Sequence, residues 1–336
     1  VVGRFPVLLA LVFGLGSPIL AAECPAGYDG PRGKALRLSG SGGKFLQGAD
    51  PFVLGDTSGS VYAYTTNRPG VNVPVYRLEA NGAWTSLGDA LPKLPPWAER
   101  GRTWAPEAMR LGDGRYALWY TAHQGGSGKQ CIGRALADRP EGPYTDSSSA
   151  PFLCDSQRET SIDSSPFRDD DGKLYLLWKT REKARDGLKT TLWIAPLDAQ
   201  GNLVQSGGTP LLTNSESWEG EHVEAPTLLR KDGRYFLFYS AGASTPRGYL
   251  SSWAVAERPE GPYRKSGKVL VGGTPCTKGA GHQSVVADPK GGYRIYYHAL
   301  HPERRESHGG HARFLDSARL CFSGGVPVVQ DAECRP

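Results

Sequence analysis

A five-fold internal repeat limits what this chain can fold into. Each copy opens on a polar or aromatic residue. A short apolar run, a tight turn and an alternating aromatic strand follow. The opening residues are Asp50, Trp104, Asp163, Glu224 and His282, spaced 54 to 61 residues apart. Counted back from the first Tyr of the next strand, they recur at nearly constant distance. Asp50, Trp104 and Asp163 lie twelve residues before Tyr62, Tyr116 and Tyr175. Glu224 and His282 lie eleven before Tyr235 and Tyr293. Asp113-Gly114, Asp171-Gly172, Asp232-Gly233 and Gly291-Gly292 mark four of the turns, and such pairs favour β-hairpins. A second hairpin follows each copy. Its clearest trace is Arg139-Pro140-Glu141-Gly142-Pro143-Tyr144, which recurs at Arg258-Pro259-Glu260-Gly261-Pro262-Tyr263. Five units of four antiparallel strands predict an all-β, five-bladed β-propeller. Innermost strands start near the axis of such a ring, so the five opening residues should converge at one mouth. Polar caps on a solvated funnel would explain one such residue, but not three carboxylates, a Trp and a His in one phase.

The units span most of the 336 residues and leave no room for a second domain. The first stretch has Arg4, an apolar run to about Leu15, and small residues at Ala21 and Ala22. It has the form of a signal peptide over residues 1–22, leaving 23–336 as one propeller domain in a secreted or periplasmic protein. An uncleaved anchor is the alternative for that stretch. Six cysteines behind a leader suggest disulfides, with 15 possible pairings. We adopt Cys131 with Cys154, Cys276 with Cys321, and Cys24 with Cys334. The charge of +5 has no basic run behind it, which argues against nucleic acid as a partner. A monomer without membrane attachment after leader removal is expected.

Three carboxylates around one funnel repel one another and lose water, so at least one should bind a proton more tightly. One protonated acid beside one ionised carboxylate is the equipment for cleaving a glycosidic bond. A Trp at the same mouth offers a flat face to a sugar ring. These residues narrow the chemistry without assigning roles.

The ordered set Ala49-Asp50-Pro51-Phe52, Trp104-Ala105-Pro106-Glu107, Ile162-Asp163-Ser164, Val223-Glu224-Ala225-Pro226 and His282-Gln283-Ser284 resembles glycoside hydrolase family 43. That family contains five-bladed arabinosidases and xylosidases. The resemblance implies an inverting mechanism, with Asp50 as general base and Glu224 as general acid. It implies that Asp163 orients the acid and adjusts its proton affinity, and that Trp104 stacks on the sugar. Ile132 resembles the start of a segment that borders the sugar pocket in the family. By position, Phe52 beside the base walls the pocket or joins the core, and Arg313 in the last blade reaches a substrate hydroxyl or pairs with a carboxylate. His282 matches a residue near a water cluster or calcium ion in the central channel. Calcium prefers oxygen ligands, so contact through water, or simple hydrogen bonding of His282, is expected. No cofactor is required. Glu107, three residues past Trp104, reads as a structural acid, with a hydrogen bond to substrate as the alternative. An Arg-Asp-Pro segment, typical of related retaining propellers, is absent: Arg168-Asp169 is followed by Asp170.

The expected function is hydrolysis of arabinose- or xylose-containing plant cell-wall glycans. An α-L-arabinofuranosidase is favoured, with β-xylosidase and endo-arabinanase as rivals. A non-catalytic sugar-binding propeller or a protein-interaction propeller are the readings from other classes.

Overall fold

Tight turns and alternating aromatic strands fold back on themselves as their sequence dictates. At Asp232-Gly233 both residues take positive φ, 51° and 74°, the twist a two-residue hairpin turn needs. The computed structural model describes residues 34–35, 45–185, 187–242, 248–273, 277–288, 292–301 and 312–330. The leader segment, Cys24, Cys276 and Cys334 lie outside the described residues.

After β1 (Lys34–Ala35), strands follow in antiparallel meanders. The first holds β2 (Phe52–Gly55), β3 (Val61–Tyr64), β4 (Pro74–Leu78) and β5 (Trp84–Asp89). The second holds β6 (Ala98–Arg110), β7 (Tyr116–Gln124) and β8 (Gln130–Ala137). The third holds β9 (Thr160–Arg168), β10 (Leu174–Ala184), β11 (Gly187–Leu197) and β12 (Thr209–Thr213). The fourth holds β13 (Val223–Lys231), β14 (Arg234–Ala241), β15 (Leu250–Ala256) and β16 (Arg264–Val271). The last holds β17 (Lys278–Ala287), β18 (Tyr293–Leu300), β19 (Arg313–Ser323) and β20 (Val326–Gln330), with β1 paired to β19.

Hydrogen bonding groups these strands into four sheets, where one sheet per repeat was expected. The second and third meanders share a seven-stranded sheet, joined by one parallel pair, Gln130 with Thr160. The second meander has no full fourth strand. Only the bridges Leu136–Thr145 and Ile132–Leu153 stand in its place. Pro140, Pro143 and Pro151 interrupt that segment, and proline cannot donate to a ladder.

Each first strand touches the next one: β2 with β6, β6 with β9, β9 with β13, β13 with β17, and β17 again with β2. The apolar clusters follow the same order. Tyr64 and Val75 pack against Leu118 and Tyr120. Trp119 and Ile132 meet Leu176 and Trp178. Leu177 and Ile194 meet Leu237 and Tyr239. Phe236 and Phe238 meet Ile295 and Leu320, and Tyr296 and Leu315 meet Val53 and Trp84. Burial of apolar side chains therefore closes the ring, each junction sealed by its own cluster.

The repeated Arg-Pro-Glu-Gly-Pro-Tyr segment is stapled alike in both copies. The Tyr144 hydroxyl donates to the Pro140 carbonyl at 3.0 Å and Tyr263 to Pro259 at 2.9 Å. The Cys131–Cys154 disulfide is present as expected, and Cys321 is also disulfide-bonded. Gly133 is fixed by packing: a Cβ there would lie 2.3 Å from the ring of buried Tyr120, which donates to Asp146. Gly133→Ala is expected to cost about 1–3 kcal/mol in a urea titration. An unchanged midpoint would show that the ring moves aside freely.

Candidate active site

The site grows from a repeated backbone irregularity. In four meanders the first strand carries two residues opposite one on its neighbour, a β-bulge. In the first meander the Thr66 N–H bond to the Ala49 carbonyl, just ahead of β2, sets Asp50 and Pro51 opposite Thr65 in the same way. The ladder skips between Trp104 and Glu107, between Ile162 and Ser165, between Glu224 and Thr227, and between Gly281 and Ser284. The first bulge residue has left-handed backbone each time: Asp50 (φ 50°), Ala105 (43°), Asp163 (55°), Ala225 (51°) and His282 (52°). Non-glycine residues rarely adopt this region, and bulges re-aim side chains beside functional sites. Trp104 and Glu224 sit one residue earlier, so the opening residues occupy two phases rather than the single phase expected. The anchor tyrosine causes the error at Trp104; at Glu224 the cause is the two-residue turn Asp232-Gly233, where the other hairpins have five residues between paired positions. Tyr62 and Tyr175 lie three residues before the position facing the bulge; Tyr116, Tyr235 and Tyr293 lie four before. An odd offset puts them on opposite strand faces.

The bulges are held by the preceding meander. Thr66 accepts the Ala105 N–H at 3.1 Å, Thr121 the Asp163 N–H at 3.2 Å, and Ser240 the His282 N–H at 2.7 Å. The ring closes with His298 Nδ1 accepting the Asp50 N–H at 3.1 Å. Unpaired buried amides are costly, so these acceptors fix where each functional side chain starts.

Asp50 accepts a hydrogen bond from Thr66 at 2.6 Å and one from Arg313 at 2.9 Å. His282 Nδ1 lies 3.4 Å from the same carboxylate. Burial alone would raise its proton affinity. Arg313 and His282, with the Thr66 hydroxyl, outweigh that and hold Asp50 well below the usual carboxylate range. His298 itself stays neutral, because burial, then Arg313, disfavours its charge.

Asp163 and Glu224 are neighbours with opposite tendencies. Burial pushes Asp163 up to about 6; the Glu224 charge adds to this, while His282 and Lys179 oppose it. Burial also works against charge on Glu224. Lys179 overcomes it with a 2.6 Å ion pair, helped by His222 and Tyr249, and holds Glu224 down to about 2. Asp163 further accepts the Ala225 N–H at 3.2 Å, tying it to the strand that carries Glu224. The site thus contains a carboxylate held ionised, Asp50, and a carboxyl pair that binds a proton near pH 6.

The family model for glycosyl hydrolases family 43 matches residues 45–319. The chain belongs to this family. Among its family relatives, it is 30% identical over 185 residues to the extracellular endo-alpha-(1->5)-L-arabinanase 2 of Bacillus subtilis (strain 168). That match covers 50% of this chain and 37% of the relative. A probable arabinan endo-1,5-alpha-L-arabinosidase A of Aspergillus flavus is 26% identical over 307 residues, covering 83% of this chain and 90% of the relative. The crystal structure of a thermostable family-43 glycoside hydrolase superposes with a TM-score of 0.77 at 25% identity, covering 89% of this chain and 97% of that one.

Of the residues that the family resemblance marked, Asp50, Asp163, Glu224 and His282 are brought together. Trp104 stands half-buried, its ring edge-on to His123 at 5.0 Å. Phe52 packs at the edge of the core, 6.2 Å from the Tyr64 ring. Ile132 is a correction. It is fully buried, covered by the Leu153 segment that the Cys131–Cys154 disulfide holds down, and cannot border a substrate. Arg313 pairs with Asp50, the alternative left open for it. Glu107 is buried and accepts from the Ser165 hydroxyl. Burial, then Asp163, keep it protonated. Among the described residues no three His, Cys, Asp or Glu side chains converge as a cation cage. With Asp50 already engaged by Thr66 and Arg313, the groups around His282 do not fit direct calcium coordination.

Lys179, Tyr249 and His298 escaped the sequence reading. Tyr249 stacks on His298 at 5.6 Å and donates to Glu224. Lys179 had a weak signal: it is buried although it follows the apolar run Leu174-Tyr175-Leu176-Leu177-Trp178 at the point where β10 turns polar.

Proposed function

We propose that the meanders are the five blades of one propeller and that this chain is an inverting glycosidase acting on α-L-arabinofuranosyl linkages. The observation that carries it is the gathering of three carboxylates: Asp50 held by Arg313 and Thr66, and Glu224 and Asp163 tied to each other's strands through Lys179 and the Ala225 N–H. Asp50, ionised and oriented by Arg313 and Thr66, serves as base toward water. Glu224 delivers the proton to the leaving oxygen. Asp163 shares that proton and sets how tightly it is held. Two carboxyl groups in these complementary states are what glycosidic cleavage requires, and inversion is the mode that the family resemblance implies. Trp104 offers its half-buried face to a sugar ring. No step runs through a metal ion.

Release of terminal arabinofuranose is the form we favour. The relatives named as endo-arabinanases support internal cleavage of arabinan as the second reading. Secretion is proposed with it, since the Bacillus relative is named extracellular.

The test is hydrolysis of an aryl α-L-arabinofuranoside, an aryl β-D-xyloside and linear arabinan, with product anomers followed by proton NMR. Cleavage of the arabinofuranoside with inversion is expected. Preference for linear arabinan with release of oligomers would select the internal mode. Retained configuration, or sugar binding without turnover, would overturn the proposal.

A further inference from the structure

The residue facing each bulge is followed by one that pairs beside the bulge: Thr66, Thr121, Lys179, Ser240 and His298. Thr66, Thr121, Ser240 and His298 do the same work, accepting the N–H of the next bulge. Lys179 cannot, because an ammonium has no lone pair. Its bulge amide, Ala225 N–H, is left to Asp163, and Lys179 instead donates to Glu224 at 2.6 Å. Lys179 is 3% exposed. A buried ammonium is expensive, and an apolar or hydroxyl side chain commonly serves stability as well. The ring's own pattern supplies the hydroxyl alternative. It is broken at the junction that carries Glu224.

We propose that Lys179 is a positioning residue for Glu224, which fixes the orientation of that carboxylate and decides how the site proton is divided between Asp163 and Glu224. This rests on the role proposed above for Glu224. In the substrate-free site the ammonium keeps the proton off Glu224, leaving it to Asp163. Delivery to a glycosidic oxygen then requires that Glu224 take the proton as the substrate displaces or weakens the ion pair. Among the described residues the charged and titratable groups acting on the pair are Asp163, with Glu107 beside it, and His222, Tyr249, His282, His298 and Asp50. Lys179 is the cation in direct contact with Glu224.

The test compares Lys179→Gln and Lys179→Arg in pH profiles of kcat/KM on linear arabinan. Removing a positive charge raises the proton affinity of the carboxyl pair. The basic limb should therefore move up by about 1 pH unit or more in Lys179→Gln and stay in place in Lys179→Arg. A residue that only packs would lower activity at all pH values with the limb unmoved, and that result overturns the proposal. If Lys179→Gln does not fold, carboxyl 13C shifts of the wild-type protein decide. Glu224, assigned with Glu224→Gln, should stay ionised where ordinary glutamates titrate; titration alongside them overturns the proposal. Glu224→Gln also separates the two levels. Undiminished turnover in it defeats the role of Glu224 itself. Lost turnover with an unmoved limb in Lys179→Gln defeats only the role of Lys179.

Discussion

Glu224→Gln should lower kcat/KM on arabinan by about 10²–10⁴-fold, the usual worth of a positioned general acid. An aryl arabinofuranoside with an acidic phenol should lose far less, because its leaving group departs without a proton. The contrast between the two substrates is the measurement, since simple damage to the site would depress both. Glutamine keeps the size of the side chain and an oxygen for the Lys179 ammonium. It removes the opposite charge, however, and Lys179 is buried. Breaking one partner of a buried pair typically costs about 3–5 kcal/mol. Asp163, which also feels the Lys179 charge, should absorb part of that cost by ionising. Residual activity on the aryl substrate should then persist to higher pH than in the wild-type protein, because no protonated acid is left to lose. Equal losses on both substrates would remove Glu224 from the proton-delivery step.

The repeat made the closed ring of strands legible, because Asp-Gly turns and alternating aromatics recur with fixed spacing. Asp50, Asp163 and Glu224 were legible for the same reason. What stayed hidden depended on pleat and register. Trp104 and Glu224 precede their bulges, while Asp50, Asp163 and His282 are the bulge residues. The bulge itself recurs in every repeat; the count slipped because the Tyr116 anchor sits one position further from its bulge and the Asp232-Gly233 turn is shorter than the others. Ile132 was misplaced because its neighbours in sequence gave no hint of the Leu153 segment that covers it. Lys179 was overlooked because its partner lies on another meander, 45 residues away. Such contacts follow from ring closure, which brings the second strand of one repeat against the first strand of the next.

Asp50→Asn should abolish measurable turnover on both substrates, by about 10²–10⁴-fold or more, because water activation is needed whatever the leaving group. Leaving-group acidity should not rescue it, unlike the loss in Glu224→Gln. The same substitution has a stability signature with a definite sign. The folded-state carboxyl of Asp50 binds protons less tightly than in the unfolded chain, whose ordinary value is 3.8. Its ionised form therefore contributes stability that is fully present above about pH 4 and is lost as pH falls through the depressed folded value. The stability gap between wild type and Asp50→Asn should be widest near neutral pH and narrow steadily below pH 3.8. Thr66 and Arg313 donate to different Asp50 oxygens, so asparagine can accept from only one of them; that loss is the same at every pH, and the pH-dependent part of the gap reports the charge. Urea titrations at several pH values measure it. A gap that stays constant into acid would mean that Arg313 and His282 do not hold Asp50 ionised, and the base would have to be sought elsewhere.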